Sequence, residues 1–194
     1  MMIVDDDFLT PEEVQHYQDT IFDPRIPWIL TRELVARDFD FNLDKPKYRG
    51  SQFNHILFHE WKQRSAVWDE ALDILIKFCI KHNIMVYAIM RGKMNLTFPD
   101  PDVDVEETVA AHTDHQFPHY VFLYYVNDAD GDTILYNEKF DNSKRQTLTE
   151  LQRVHPKAGR AILFDGEHIH SPLTPTDGYR VVMNITFIGA QGDI

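Results

Sequence analysis

The sequence predicts a mainly β domain, a sandwich or barrel with helices on one side. Two observations predict it. From residue 85 onward, short β-branched and aromatic runs recur at close spacing with turn signals between them: MVYAIMRGKMNLTF (85–98), HYVFLYYVN (119–127), TILYN (133–137), RAILFDG (160–166), HIHSPL (168–173) and YRVVMNITFI (179–188). Before residue 85 the chain reads instead as helices and irregular segments. A length of 194 residues with 43% hydrophobic content fits one domain with a full core. That domain spans 1–194, with helical support over about 1–84 and the β core over about 85–190.

The elements follow in order. Thr10-Pro11-Glu12-Glu13 combines an N-cap, a proline in the first turn and a capping-box glutamate, so a helix starts there and runs to about Phe22. Pro24 and Pro27 then break the chain. A second helix is predicted over 66–82, because Trp68, Leu72, Leu75, Ile76 and Cys79 fall on one stripe. The strand at 85–98 puts Tyr87, Arg91, Lys93, Asn95 and Thr97 on one face and Val86, Ala88, Met90, Met94 and Leu96 on the other. The acidic PDPDVDVEE (99–107) is a solvated connection or a lid, since it runs straight into His112. The turn DADGD (128–132) joins two strands. The last strand carries Arg180, Val182, Asn184 and Thr186 on one face, and Val181, Met183, Ile185 and Phe187 on the other.

The net charge of −12 argues against nucleic acid or an anionic membrane as a main partner, because both need clustered Lys and Arg. The longest apolar runs, such as 120–126, are too short to cross a bilayer. The acidic start MMIVDDDFL lacks the basic region of a signal peptide. Cys79 is the only cysteine, so no internal disulfide forms and a cytoplasmic setting is the simplest expectation. Its place on the helical stripe makes it a core residue.

Chemistry gathers around AAHTDHQ (110–116). In extended chain, His112 and Asp114 point to the same side. Alone, His-x-Asp carries little weight in a chain with 10 His. However, His168 and His170 share the same relation on a later strand, and Arg180 follows His170 by ten residues and His168 by twelve. Burying that guanidinium costs several kcal/mol unless an anion or acceptors meet it. Two imidazoles and a carboxylate on one face of an octahedron form the facial triad of non-haem Fe(II) oxygenases. The three open positions accept a bidentate 2-oxo acid and dioxygen, and a permanently charged planar Arg suits the acid's distal carboxylate. His115 and His119 read as neighbours of the site rather than ligands. Arg91 and Lys93 face either substrate or solvent. His55, His59 and Trp61 carry no separable signal.

Read together, His112-Thr113-Asp114, His170 and Arg180 resemble the signature of the 2-oxoglutarate and Fe(II)-dependent dioxygenases, in the prolyl-4-hydroxylase-like branch. LYYVND (123–128), GDTILY (131–136) and PKAGRAILFDGEHIHSPLTP (156–175) agree, and the likeness covers about residues 85–190. The combined pattern is specific, although no single piece is. The resemblance implies a double-stranded β-helix, a jelly-roll barrel with supporting helices. It implies that His112, Asp114 and His170 hold iron, with His168 the alternative to His170. It further implies that Arg180 grips the C5 carboxylate of 2-oxoglutarate, with Tyr125 reaching the same group, Asn184 lining the pocket and Asn95 a further candidate. The implied requirements are Fe(II), 2-oxoglutarate and O2, with ascorbate as an accessory reductant. The implied reaction hydroxylates a C–H bond and releases succinate and CO2. Halogenating members lose the carboxylate that stands here as Asp114. Relatives often have Tyr where this chain has Phe98. The branch suggests a prolyl residue or a free amino acid as substrate, in a peptide, a protein or a small molecule. Substrate choice lies in loops 24–60 and 99–109, where the likeness is thinnest. The rivals are a non-catalytic metal-binding jelly roll and a cupin-type oxygenase without a 2-oxo acid; neither requires Arg180.

Overall fold

The computed structural model describes residues 2–31, 52–100, 111–141 and 147–192. Eleven strands and two helices occur among them: β1 (Met2–Asp5), α1 (Pro11–Ile21), β2 (Ile29–Thr31), β3 (Gln52–His59), β4 (Lys62–Gln63), α2 (Trp68–Lys81), β5 (Ile84–Thr97), β6 (Tyr120–Tyr125), β7 (Thr133–Lys139), β8 (Glu150–Val154), β9 (Ala161–Asp165), β10 (His168–Pro172) and β11 (Arg180–Gln191). They form a large antiparallel sheet in the order β1-β9-β6-β11-β5-β3-β2, with β4 on β3, and a small sheet in the order β10-β7-β8. The expected jelly roll is the architecture observed.

α1 starts where the capping box places it: Thr10 Oγ1 accepts from the Glu13 backbone, and Glu13 accepts from the Thr10 backbone. α1 and α2 pack on the outer face of the large sheet. Tyr17, Ile21, Trp68, Leu75, Phe78 and Cys79 meet Met94, Phe122, Tyr124, Met183, Ile185 and Phe187 there. Burial pushes the Cys79 thiol up to about 12, so it is an inert core group. Between the two sheets lies a second cluster, in which Val121, Leu123, Tyr125, Ile162, Phe164 and Val182 meet Leu135 and Val154. The alternation read for β11 therefore holds: its apolar face meets the helices and its mixed face turns to the small sheet.

The first 84 residues differ from the helical reading. β1 pairs with β9, and β3 pairs with β5, so both belong to the large sheet. QFNHILFH in β3 has no clean period-two pattern, because Asn54 and His55 interrupt it. β1 is only four residues long, and most of β8 is an exposed polar edge. None of these gives a local strand signal; pairing partners far away in sequence create them. Most of the acidic connection 99–107 and much of loop 24–60 lie outside the described residues.

Candidate metal centre

The site forms where the chain before β6 crosses β10. His112 and His170 make an isolated antiparallel bridge, each backbone N–H donating to the other's carbonyl at 2.9 Å. This pairing brings their rings to 4.7 Å between centroids, and Asp114 follows two residues later. One nitrogen from each imidazole and one Asp114 oxygen lie within 4.8 Å of one another. His170 Nδ1 donates to the His168 carbonyl at 3.3 Å, which leaves Nε2 as the lone-pair nitrogen, 3.6 Å from Asp114 Oδ2. Phe164 packs edge-on against the His170 ring at 5.0 Å. His168 instead turns its Nδ1 to the Tyr136 carbonyl at 2.9 Å and lies outside this group.

Electrostatics favour the protonation states a metal needs. Burial raises the Asp114 carboxyl, but the charges of Arg91, His170, His112 and Lys93 outweigh that and hold it well below the usual carboxylate range. Burial, then the neighbouring His112, lowers His170 to about 4, so its imidazole is neutral. Arg91 Nη2 donates to Asp114 Oδ1, and Asn184 Nδ2 donates to Oδ2 at 3.3 Å. Arg91 therefore occupies one carboxylate oxygen and leaves the other facing His170. The two imidazoles and the carboxylate fit a divalent transition metal.

The large sheet's inner face carries the remaining predicted residues. Register aligns Arg180 with Thr97, Val182 with Asn95 and Tyr125, Asn184 with Lys93, and Thr186 with Arg91. Arg180 is buried; its Nη2 donates to Thr133 Oγ1 at 2.8 Å, and its guanidinium lies 5.6 Å from the Tyr125 ring centroid. Tyr125, its phenol pushed up by burial, donates to the same Thr133 oxygen at 2.7 Å. Arg180 Nε is buried without a hydrogen-bond partner, and no carboxylate pairs with Arg180 among the described residues. A buried guanidinium with two neutral neighbours and a spare donor suits an incoming carboxylate. Arg180 sits two same-face positions from Asn184, roughly 13 Å along the strand. That span is long enough for an Arg side chain and a short extended anion end to end. Asn95 also faces inward, with its Oδ1 buried and unpartnered.

Other residues resolve differently. His115 Nε2 meets Thr186 Oγ1 at 2.9 Å and its ring stacks on Phe117; burial, then His119 and Arg91, lower it to about 4. His119 Nδ1 turns to the Phe117 carbonyl. His55 is a structural link between the Pro27 carbonyl and Ser65. Phe98 is half-exposed beside Phe53 and Tyr179, one residue past the end of β5. Sequence reasoning missed Thr133, which no local signal marks. It also left Arg91 undecided between substrate and solvent.

No family model and no curated protein sequence matches the chain. Solved structures do. An oxidoreductase of the 2OG-Fe(II) oxygenase family from Burkholderia pseudomallei superposes with a TM-score of 0.64 at 11% identity, covering 98% of this chain and 87% of that one. The fold is that of the 2OG-Fe(II) oxygenases. A Pseudomonas putida prolyl-4-hydroxylase gives a TM-score of 0.55 at 14% identity over 96% of this chain and 91% of its own. HygX from Streptomyces hygroscopicus, with nickel and 2-oxoglutarate bound, gives 0.54 at 13% identity over 96% and 82%. In this oxygenase fold the His112, Asp114 and His170 cluster lies between the two sheets' strands, at the β10 edge.

Proposed function

We propose that the protein is an iron(II)- and 2-oxoglutarate-dependent oxygenase that hydroxylates its substrate. The observation that carries this reading is Arg180: a buried cation without a carboxylate partner among the described residues, on the same sheet face as Asn184, which touches Asp114. A purely structural metal site has no use for that residue, and neither has an oxygenase working without a 2-oxo acid.

His112, Asp114 and His170 hold the metal. When bound with 2-oxoglutarate and O2, iron supplies oxidation of an unactivated C–H bond with release of succinate and CO2. Arg180 takes the distal carboxylate of 2-oxoglutarate, and Thr133 with Tyr125 fixes the guanidinium in place. Asn184 and Arg91 orient the Asp114 carboxylate. Leu123, Tyr125, Ile162 and Val182 form buried apolar surface between the two sheets, which would keep water from the reacting atoms. Retention of a carboxylate at Asp114 supports hydroxylation over halogenation.

The test is succinate release from 2-oxoglutarate with Fe(II), O2 and ascorbate. The protein turns over slowly without substrate, and Asp114→Ala or an iron chelator lowers the rate by about 100-fold or more. Persistent turnover in Asp114→Ala contradicts the assignment.

A further inference from the structure

The inner face that bears Asn184 also bears Lys93, in register with Asn184 on β11 and Ile56 on β3. Lys93 is largely enclosed, with part of its surface still open to solvent. Burial and the adjacent Arg91 lower its ammonium to about 8. No hydrogen bond or ion pair reaches it from the described residues, whereas its neighbour Arg91 is committed to Asp114. A solvated strand face would not enclose an ammonium in this way. Burying one without a partner destabilises the fold, so its retention points to a ligand.

Charge balance says what kind of ligand. Arg91 and Asp114 neutralise each other. The proposed divalent ion and the 2-oxoglutarate dianion do the same, which leaves two cations over, Arg180 at the diacid and Lys93. Of the two, Lys93 has no hydrogen bond or ion pair among the described residues, and Asp114, already held by Arg91, attracts it only through space. The surrounding face is polar. Asn95 presents an unpartnered Oδ1, and Gln52, Asn54 and Thr31 continue outward as a hydrogen-bonded row. One ammonium with an amide acceptor two residues away suits a single carboxylate on a skeleton that also carries an N–H or O–H donor. A doubly charged phosphate would need more donors than Lys93 alone offers.

We propose that the prime substrate is a small amino or hydroxy acid whose carboxylate pairs with Lys93 and whose donor meets Asn95. This rests on the oxygenase reading above, and it adds the substrate class.

The experiment uses the full chain loaded with Mn(II) and saturating 2-oxoglutarate. The probes are small aliphatic, hydroxy and amino acids, each paired with its primary amide. Binding is read as paramagnetic broadening of the probe's proton resonances. At least one acid binds about tenfold or more tightly than its amide, and phosphate monoesters of similar size bind no better than the amides. Lys93→Met erases the acid preference, and Lys93→Arg retains it. Acid and amide binding alike, phosphates binding best, or a preference that survives Lys93→Met overturns the proposal. If 2-oxoglutarate itself does not bind, the oxygenase reading falls first and the substrate class with it.

Discussion

Thr133 shows how much of the site depends on one hydroxyl. It accepts from Tyr125 at 2.7 Å and from Arg180 at 2.8 Å, so it fixes both groups proposed to meet the diacid. Tyr125→Phe removes one of those donors. It should lower unfolding stability by about 1 kcal/mol in urea titrations and weaken 2-oxoglutarate about 3- to 10-fold by calorimetry. Unchanged affinity would mean that the phenol only packs. At this scale the sequence was informative where chain geometry is rigid. His112 and Asp114 at a spacing of two, and Arg180 and Asn184 at a spacing of four, share a face in any extended strand. Thr133 and the Arg91–Asp114 contact were not legible, because each depends on which strands lie opposite.

Among elements, β5 and β11 were readable because each has one apolar face and one mixed face over many residues. β3 was not, because its central His55 is buried on hydrogen bonds to Pro27 and Ser65 rather than on apolar contacts. The β3–β4 hairpin was missed for a further reason. Its two-residue turn is Glu60-Trp61, and both residues have positive φ, at 51° and 61°. Asn-Gly normally marks such a turn, and neither Glu nor Trp favours the left-handed region. Glu60→Asn with Trp61→Gly should therefore stabilise the protein by about 1 kcal/mol, read as a higher thermal midpoint. A lower midpoint would show that the exposed Trp61 side chain packs usefully.

Across the whole molecule, acidic groups outnumber basic ones, 31 against 19, yet Arg91, Lys93 and Arg180 share the inner face. This inner-face grouping of cations runs against the sign of the chain as a whole. No helix among the described residues is long and apolar enough to cross a membrane. The N-terminal segment is tied to the barrel by Asp6, which accepts from Arg160 Nε at 2.6 Å and Nη2 at 2.9 Å. The hydrogen bonds from Arg160 hold the Asp6 carboxyl far below its ordinary 3.8. A depressed carboxyl contributes its stability above the ordinary value and loses it as pH falls below. Arg160→Met should thus cost about 1 kcal/mol near neutrality, and that difference should shrink as pH drops below about 4. Urea unfolding at several pH values checks this; a difference independent of pH would contradict it.

The central claim is that a metal triad and a buried guanidinium are spaced to hold one diacid between them. The most direct measurement is calorimetric titration of 2-oxoglutarate into the Mn(II)-loaded protein. The prediction is one saturable site per chain that disappears when the metal is removed and weakens about 100-fold or more in Arg180→Met. A folded, metal-loaded protein that gives no binding heat, or an Arg180→Met variant that binds as tightly as the parent, would contradict it.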